Sequence, residues 1–230
     1  MSALSSRELM LGRLRAATVV PSDVADIDRR IDAHYLRQRP SAPRDEAQRV
    51  RDMQAAMTAA HADVICADSD AWPTRLAERI ALRGVRRLLL DPTRLEGAAL
   101  ARVLSPATDI VTFERPLEQW KAELFNSVDA GFTVARSGIA ATGTLILAPD
   151  AGTPRSVSLV PPLHIALVYA DTLHADMHAA VKAECWADGM PSNLVLASSP
   201  SKTSDIQQTL AYGAHGPRWL WVVIVTGASA

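Results

Sequence analysis

The sequence predicts an α/β fold, a mixed and largely parallel sheet with helices on both faces, preceded by an N-terminal helical arm. Two observations carry that expectation. From residue 44 onward, short runs rich in Val, Leu and Ile alternate with longer segments of helical spacing, the pattern of strands joined by crossover helices. The 230 residues, 48% hydrophobic and 21% charged, suffice for one domain with a small appendage and a sizeable core.

Residues 6–17 read as a short amphipathic helix with Met10, Leu11 and Leu14 on one face. Residues 20–43 turn polar and carry Pro21, Pro40 and Pro43, so an arm or linker is expected there, wrapping its own domain or a dimer mate. This divides the chain into an arm over 1–43 and an α/β domain over 44–230. In the domain, helices are expected over 45–60, 72–83, 95–104 and 116–128, and strands over 64–66, 86–90, 110–112 and 132–135. The second half reads as strands over 144–147, 158–160, 164–168, 193–197 and 219–225. Helices are expected over 172–187, where Leu173, Met177, Val181 and Cys185 recur every fourth residue, and over 204–212. Residues 141–168 hold two strand candidates with no helix between them, which suggests an antiparallel pair in the sheet.

Composition excludes several classes. Twenty-four basic against 25 acidic residues, a net charge of −1, is not the basic excess of a nucleic-acid binder. The longest purely apolar stretch, 219–225, is far below membrane-spanning length, and Arg7, Glu8, Arg13 and Arg15 interrupt any signal-peptide core. Cys66 and Cys185 are too few for a disulfide framework, a four-thiolate zinc site or an iron–sulfur cluster within the chain. A reduced, cytoplasmic protein with no membrane insertion and no cofactor of its own is expected.

Ligands of open α/β sheets bind where strands lead into helices, and three segments have the composition for it. Thr142, Gly143 and Thr144 combine a backbone that a ligand can approach closely with two hydroxyls. Ser201, Lys202, Thr203 and Ser204 precede the expected helix, with Ser204 and Gln207 spaced as a capping box. Hydroxyls, a lysine and a helix start together suit a small anion. His215 sits between Gly213 and Pro217, beside Gly216, on a backbone of fixed shape, where it could act as acid, base or donor. These segments are expected to line one cleft. His174 and His178 have the i,i+4 spacing of a metal pair, but Lys182 stands where a third ligand would fall, so a solvated helix face is expected. His164 reads as a strand start, and Arg83, Arg86 and Arg87 as the edge of a helix–strand turn.

Taken together, these segments resemble the LUD-domain family, and within it the lactate-utilization protein C type. Ile139-Ala140-Ala141-Thr142-Gly143-Thr144 is similar to the family's Ala-Glu-Thr/Ser-Gly-Thr segment, and Arg155 to Pro161 to its Arg-x-x-Ser-Leu-hydrophobic-Pro segment. Ser199-Pro200-Ser201-Lys202-Thr203-Ser204-Asp205-Ile206-Gln207, followed by Gly213-Ala214-His215-Gly216-Pro217, resembles Gly-Pro-Ser-x-Ser/Thr-Ala-Asp-Ile-Glu and Gly-x-His-Gly-Pro. The resemblance implies a fold like the sugar-phosphate isomerase and coenzyme A transferase group. It implies a non-cluster subunit that takes part in oxidising L-lactate to pyruvate, with iron–sulfur clusters in partner subunits. It also makes Asp205 and His215 the candidate catalytic residues. The departures that matter are Ala141 and Gln207, which replace glutamates, and Ser199, which replaces a glycine. An autonomous enzyme on a phosphorylated or acyl substrate, or a catalytically silent scaffold, are the alternatives those departures leave open.

Overall fold

The computed structural model describes residues 6–16, 24–38, 45–204 and 210–227. The chain divides into two compact units, Met1–Pro43 and Arg44–Ala230. The first holds helices α1 (Ser6–Ala16), which buries none of its residues, and α2 (Val24–Gln38). Helix α2 corrects the expectation of an irregular linker. Pro21 and Pro40 bracket a segment with Ile27, Ile31 and Tyr35 every fourth residue, so the prolines delimit a helix instead of breaking one.

The second unit opens with α3 (Glu46–Ala59), whose N-cap Asp45 accepts from the Gln48 N–H at 2.7 Å. There follow β1 (Asp63–Asp68), α4 (Trp72–Arg83), β2 (Arg87–Leu89), α5 (Leu95–Val103), β3 (Asp109–Val111), α6 (Leu117–Ser127) and β4 (Ala130–Val134). The chain continues through β5 (Ser137–Ile139), β6 (Thr144–Leu147), α7 (Arg155–Leu159), β7 (Leu163–Tyr169), β8 (Leu173–His174) and α8 (Met177–Ala183). It ends with β9 (Val195–Ala197), β10 (Lys202–Ser204), β11 (Leu210–Tyr212) and β12 (Trp219–Thr226).

Six strands form one parallel sheet in the order β1-β12-β7-β4-β2-β3. Alternate residues of a strand face opposite sides. Accordingly β12 sends Trp221, Val223 and Val225 into the core beneath α4 and α5, and Leu220, Val222 and Ile224 into the core beneath α3. Helix α3 buries Met53 and Met57 completely, each contributing about 1.5–3 kcal/mol. The far end of the same face is closed by α6 and α7 through Trp120, Leu124 and Val157. A second sheet, β8-β5-β6-β9, uses the same alternation: Leu145 and Leu147 join the α3 core, whereas Ile146 and Ile139 pack with Ala180 of α8.

The α/β class and the largely parallel sheet stand as expected, but four local readings do not. Residues 158–160 are not a strand; they fall in and after α7, which fits because Gly131 leaves room for the Val157 carbonyl. The antiparallel partners of β6 are therefore β5 and β9, in the second sheet. The expected helix over 172–187 shrinks to α8. Leu173 is instead paired with Gly138, the Asp176 carboxylate caps the helix start by accepting from Ala179 N at 2.7 Å, and Cys185, at φ +53°, ends the path. At the described ends of the expected helix over 204–212 the backbone is extended instead, with Lys202 opposite Tyr212 and Ser204 opposite Leu210, and residues 205–209 lie outside the described residues. Backbone bonds from Ser201 N to Pro217 O and from Gly213 N to Ser201 O hold the two described ends together. No helix among the described residues is long and apolar enough to cross a membrane.

Candidate functional site

Trp219, the first residue of β12, donates its N–H to Pro162 O just before β7, and Asp63 of β1 lies opposite Trp221. The turn before β1, the loop before β12 and the approach to β7 therefore meet at the amino edge of the parallel sheet. An open cleft of about 490 Å³ lies there, lined by His61, Pro200, Tyr212, Arg218 and Trp219.

His61 reaches this cleft through a strained turn. It follows the C-cap of α3 at φ +67°, with His61 N bonded to Thr58 O and Ala62 N to Met57 O, the paired bonds of a helix ending that glycine usually supplies. A side chain there costs on the order of 1 kcal/mol. The strain directs the imidazole edge-on to Tyr212, with ring centroids 5.9 Å apart. Non-glycine residues held this way cluster at functional positions. Opposite, the Trp219 ring lies beneath two guanidinium groups, Arg83 at 4.3 Å and Arg218 at 5.0 Å from its centroid. Among the described residues that line the cleft none is acidic, so its field favours an anion, with Arg218 as a fork for a carboxylate.

The expected site residues divide around the run from Ser198 to Ser201. On one side, Thr144 is buried; its hydroxyl lies 2.7 Å from the Thr142 hydroxyl and 2.8 Å from that of Ser198. Gly143, at φ +58°, sits where a Cβ would come within 2.8 Å of Met57 N, so its role is to let this turn press onto α3. On the other side, Ser201 is bonded to Pro217 and Gly213, and its Cβ stands 3.2 Å from where a Gly216 side chain would begin. His215 is exposed in the same loop. Lys202, exposed, and Thr203 leave along β10 with Ser204. Asp205 and Gln207, and with them the capping box, lie outside the described residues. Ser204 itself ends strand β10, and positive charge at this edge comes from Arg218 and Arg83 as well.

Sequence reasoning passed over His61 and Arg218 and set Arg83 aside. Only the unusual Thr-Ala-Ala-His-Ala-Asp ending of α3, with no glycine, could have singled out His61. The edge is also the opposite of the one expected, for the loop of Gly213 to Pro217 runs into the amino end of β12.

The remaining histidines lie elsewhere. His174 and His178 do not share a helix face: His174 is in β8, half-buried, 4.0 Å from Glu184, and burial lowers its pKa against that carboxylate's opposing pull. His164 is the second residue of β7, fully enclosed, with its Nε2 2.8 Å from the Thr133 hydroxyl; burial pushes its pKa down to about 4. Among the described residues no group of three or more His, Cys, Asp or Glu is placed to hold a metal.

Comparison with known proteins places this geometry in context. The LUD domain matches residues 50–225. An uncharacterized protein of Neisseria meningitidis is 36% identical over 225 residues, covering 96% of this chain and 94% of that protein. Lactate utilization protein C of Shouchella clausii is 31% identical over 175 residues, 73% of this chain and 74% of that protein. Its namesake in Deinococcus radiodurans is 35% identical over 126 residues, 53% and 57% of the two chains. The crystal structure of a DUF162 family protein from Deinococcus radiodurans, 26% identical, superposes with a TM-score of 0.62 over 80% of this chain and all of that one.

Proposed function

Because this chain belongs to the LUD-domain family, we propose that it is the non-cluster subunit of a lactate-utilization system, taking part in the oxidation of L-lactate to pyruvate with iron–sulfur partner proteins. The observation that carries the reading is the amino-edge cleft. Pro200 lines it together with Tyr212 and Arg218, the residues that flank the Gly213 to Pro217 loop, and Arg218 and His61 give it the charge and hydrogen-bonding groups that a small 2-hydroxy acid requires. The name of one relative that spans 73% of this chain supports the pathway.

Oxidation of L-lactate takes two electrons and two protons from the C2–H and its hydroxyl, leaving the C2 carbonyl of pyruvate. In this reading Arg218 binds the carboxylate and His61 accepts the hydroxyl proton, with exposed His215 a second acid–base group in the adjoining loop. The C2 proton and the two electrons would be taken up by the partner subunits, whose iron–sulfur clusters would supply the electron-carrying chemistry, since Cys66 on β1 and Cys185 beyond α8 cannot between them ligate a cluster. The small anion is held by the side chains of Arg218 and His61, with the hydroxyls of Thr142 and Thr144 supporting Ser198 from behind.

The test follows pyruvate formation from L-lactate with a dye acceptor, with and without the cluster-bearing partners. Turnover should require both, and Arg218→Ala should raise the lactate concentration needed at least tenfold. Robust turnover by the lone chain would replace this reading with that of a self-sufficient enzyme. Partners that reach full rate without it would make the chain dispensable and the reading wrong.

A further inference from the structure

A second cleft, of about 350 Å³, lies at the carboxyl edge of the sheet, where β1 and β7 end and α4 and α5 begin. Its chemistry is the reverse of the first. Trp72 and Leu95 form an apolar wall, and Trp72 is held rigid by a parallel stack on Phe132, with centroids 6.2 Å apart. The polar side is made by Glu96, Tyr169 and Asp171, and no basic side chain is among the described residues that line it.

Hydrogen-bonding capacity decides what could enter. The Tyr169 hydroxyl donates to Glu96 Oε1 at 2.9 Å, so its one proton already has a partner. Burial first, and then the neighbouring Glu96 and Asp171, push Tyr169 up to about 12, so the phenol keeps that proton throughout the physiological range. What faces the cleft is therefore an excess of acceptors: the second oxygen of Glu96 and the carboxylate of Asp171. The positive ends of the two helices are answered within the chain. Asp68 accepts from Ala71 N at 2.8 Å at the start of α4, and Glu96 stands in the first turn of α5. An anion would meet like charge here. A ligand that fits must bring donors and positive charge on one side and an apolar body on the other.

We propose that the carboxyl-edge cleft is a binding site for a small organic ammonium ion, its charged nitrogen between Glu96 and Asp171 and its ring or chain against Trp72 and Leu95. This site is independent of the lactate reading, since it uses none of the amino-edge residues.

The experiment titrates the full chain with phenethylamine and, separately, with 3-phenylpropionate, a ligand of similar shape and opposite charge, by calorimetry at pH 7 and low salt. Saturable binding of the amine and none of the acid is expected. Glu96→Gln and Asp171→Asn should each weaken the amine about tenfold. The amide oxygen of Glu96→Gln would still offer Tyr169 an acceptor, and Asp171 is exposed, so both variants should keep the wild-type thermal midpoint, which is measured alongside. No saturable amine binding, equal binding of the acid, or unchanged affinity in both variants would overturn the proposal. Adenosine, neutral and rich in hydroxyls, is the further control: if it binds more tightly than the amine, the site selects a nucleoside and the proposal fails.

Discussion

At the amino edge of the parallel sheet, His61, Arg218 and Trp219 surround a cleft in which no described residue is acidic; at the carboxyl edge, Glu96, Asp171 and Tyr169 surround one in which none is basic. Both edges belong to the same six strands, and either could hold a ligand of a few hundred cubic ångströms. The usual expectation for open α/β sheets favours the carboxyl edge, because helix starts and loop mouths converge there. Here the segments that carry the family resemblance lie on the other edge. The difference teaches that backbone geometry makes an edge available, while side-chain charge selects what each edge can hold. Arg83 shows how: it closes α4 at the amino edge and lies over Trp219, whereas the start of the same helix meets the carboxylate of Asp68.

The strongest way to break this comparison is to damage the support of one edge. A Cβ on Gly97 would come within 1.9 Å of Asp91 O, a backbone atom that cannot swing aside, so Gly97→Ala should destabilise the fold by about 3 kcal/mol or more. Gly143→Ala, whose Cβ would meet Met57 N at 2.8 Å from a positive φ, should cost about 2 kcal/mol on the amino side. Urea unfolding of both variants measures this. Stabilities within about 0.5 kcal/mol of wild type would show that neither close approach constrains its edge.

A pH effect of about the same size should arise close to the amino edge, at the second residue of β7. Enclosed His164 stays neutral in the fold, with its pKa lowered to about 4, while the unfolded chain takes up the proton near the ordinary value of 6.5. Its contribution is present above about pH 6.5 and is lost as pH falls towards 4, by on the order of 3 kcal/mol. Comparing unfolding free energies at pH 7 and 4.5 checks it: the loss should be smaller in His164→Gln. An identical loss in the variant would place the acid sensitivity elsewhere.

The comparison is sharpened by crossing variants with ligands. Arg218→Ala should weaken pyruvate binding about tenfold and leave phenethylamine binding as it was, and Asp171→Asn should do the reverse. If either substitution weakened both ligands, the two clefts would not be separate sites. The smallest effect is expected at His61. Glycine is at ease at φ +67°, so His61→Gly should raise stability by up to about 1 kcal/mol while weakening carboxylate binding. Greater stability with unaltered binding would mean that the strained imidazole serves no ligand.

Much of this molecule is legible in its sequence because the relevant physics is local. The apolar spacing of residues 72–83 predicts α4 at its observed bounds, and the run of 144–147 predicts β6. Periodicity records which residues are buried, not what covers them. Leu173, Met177, Val181 and Cys185 therefore imitate one long helix, although Leu173 pairs with Gly138 and the Asp176 cap starts α8 only at Met177. The same limit hid the pairing of β10 with β11, whose outer ends are held by backbone bonds among Ser201, Gly213 and Pro217. The sequence by itself determined the class of fold, the order of most elements and the segments shared with the LUD family. Only the tertiary structure decided which edge those segments occupy. The pairing of β1 with β12 brings the end of α3 beside Arg218 and Trp219 from the far end of the chain, and a contact between residues so distant leaves no periodic trace in either of them.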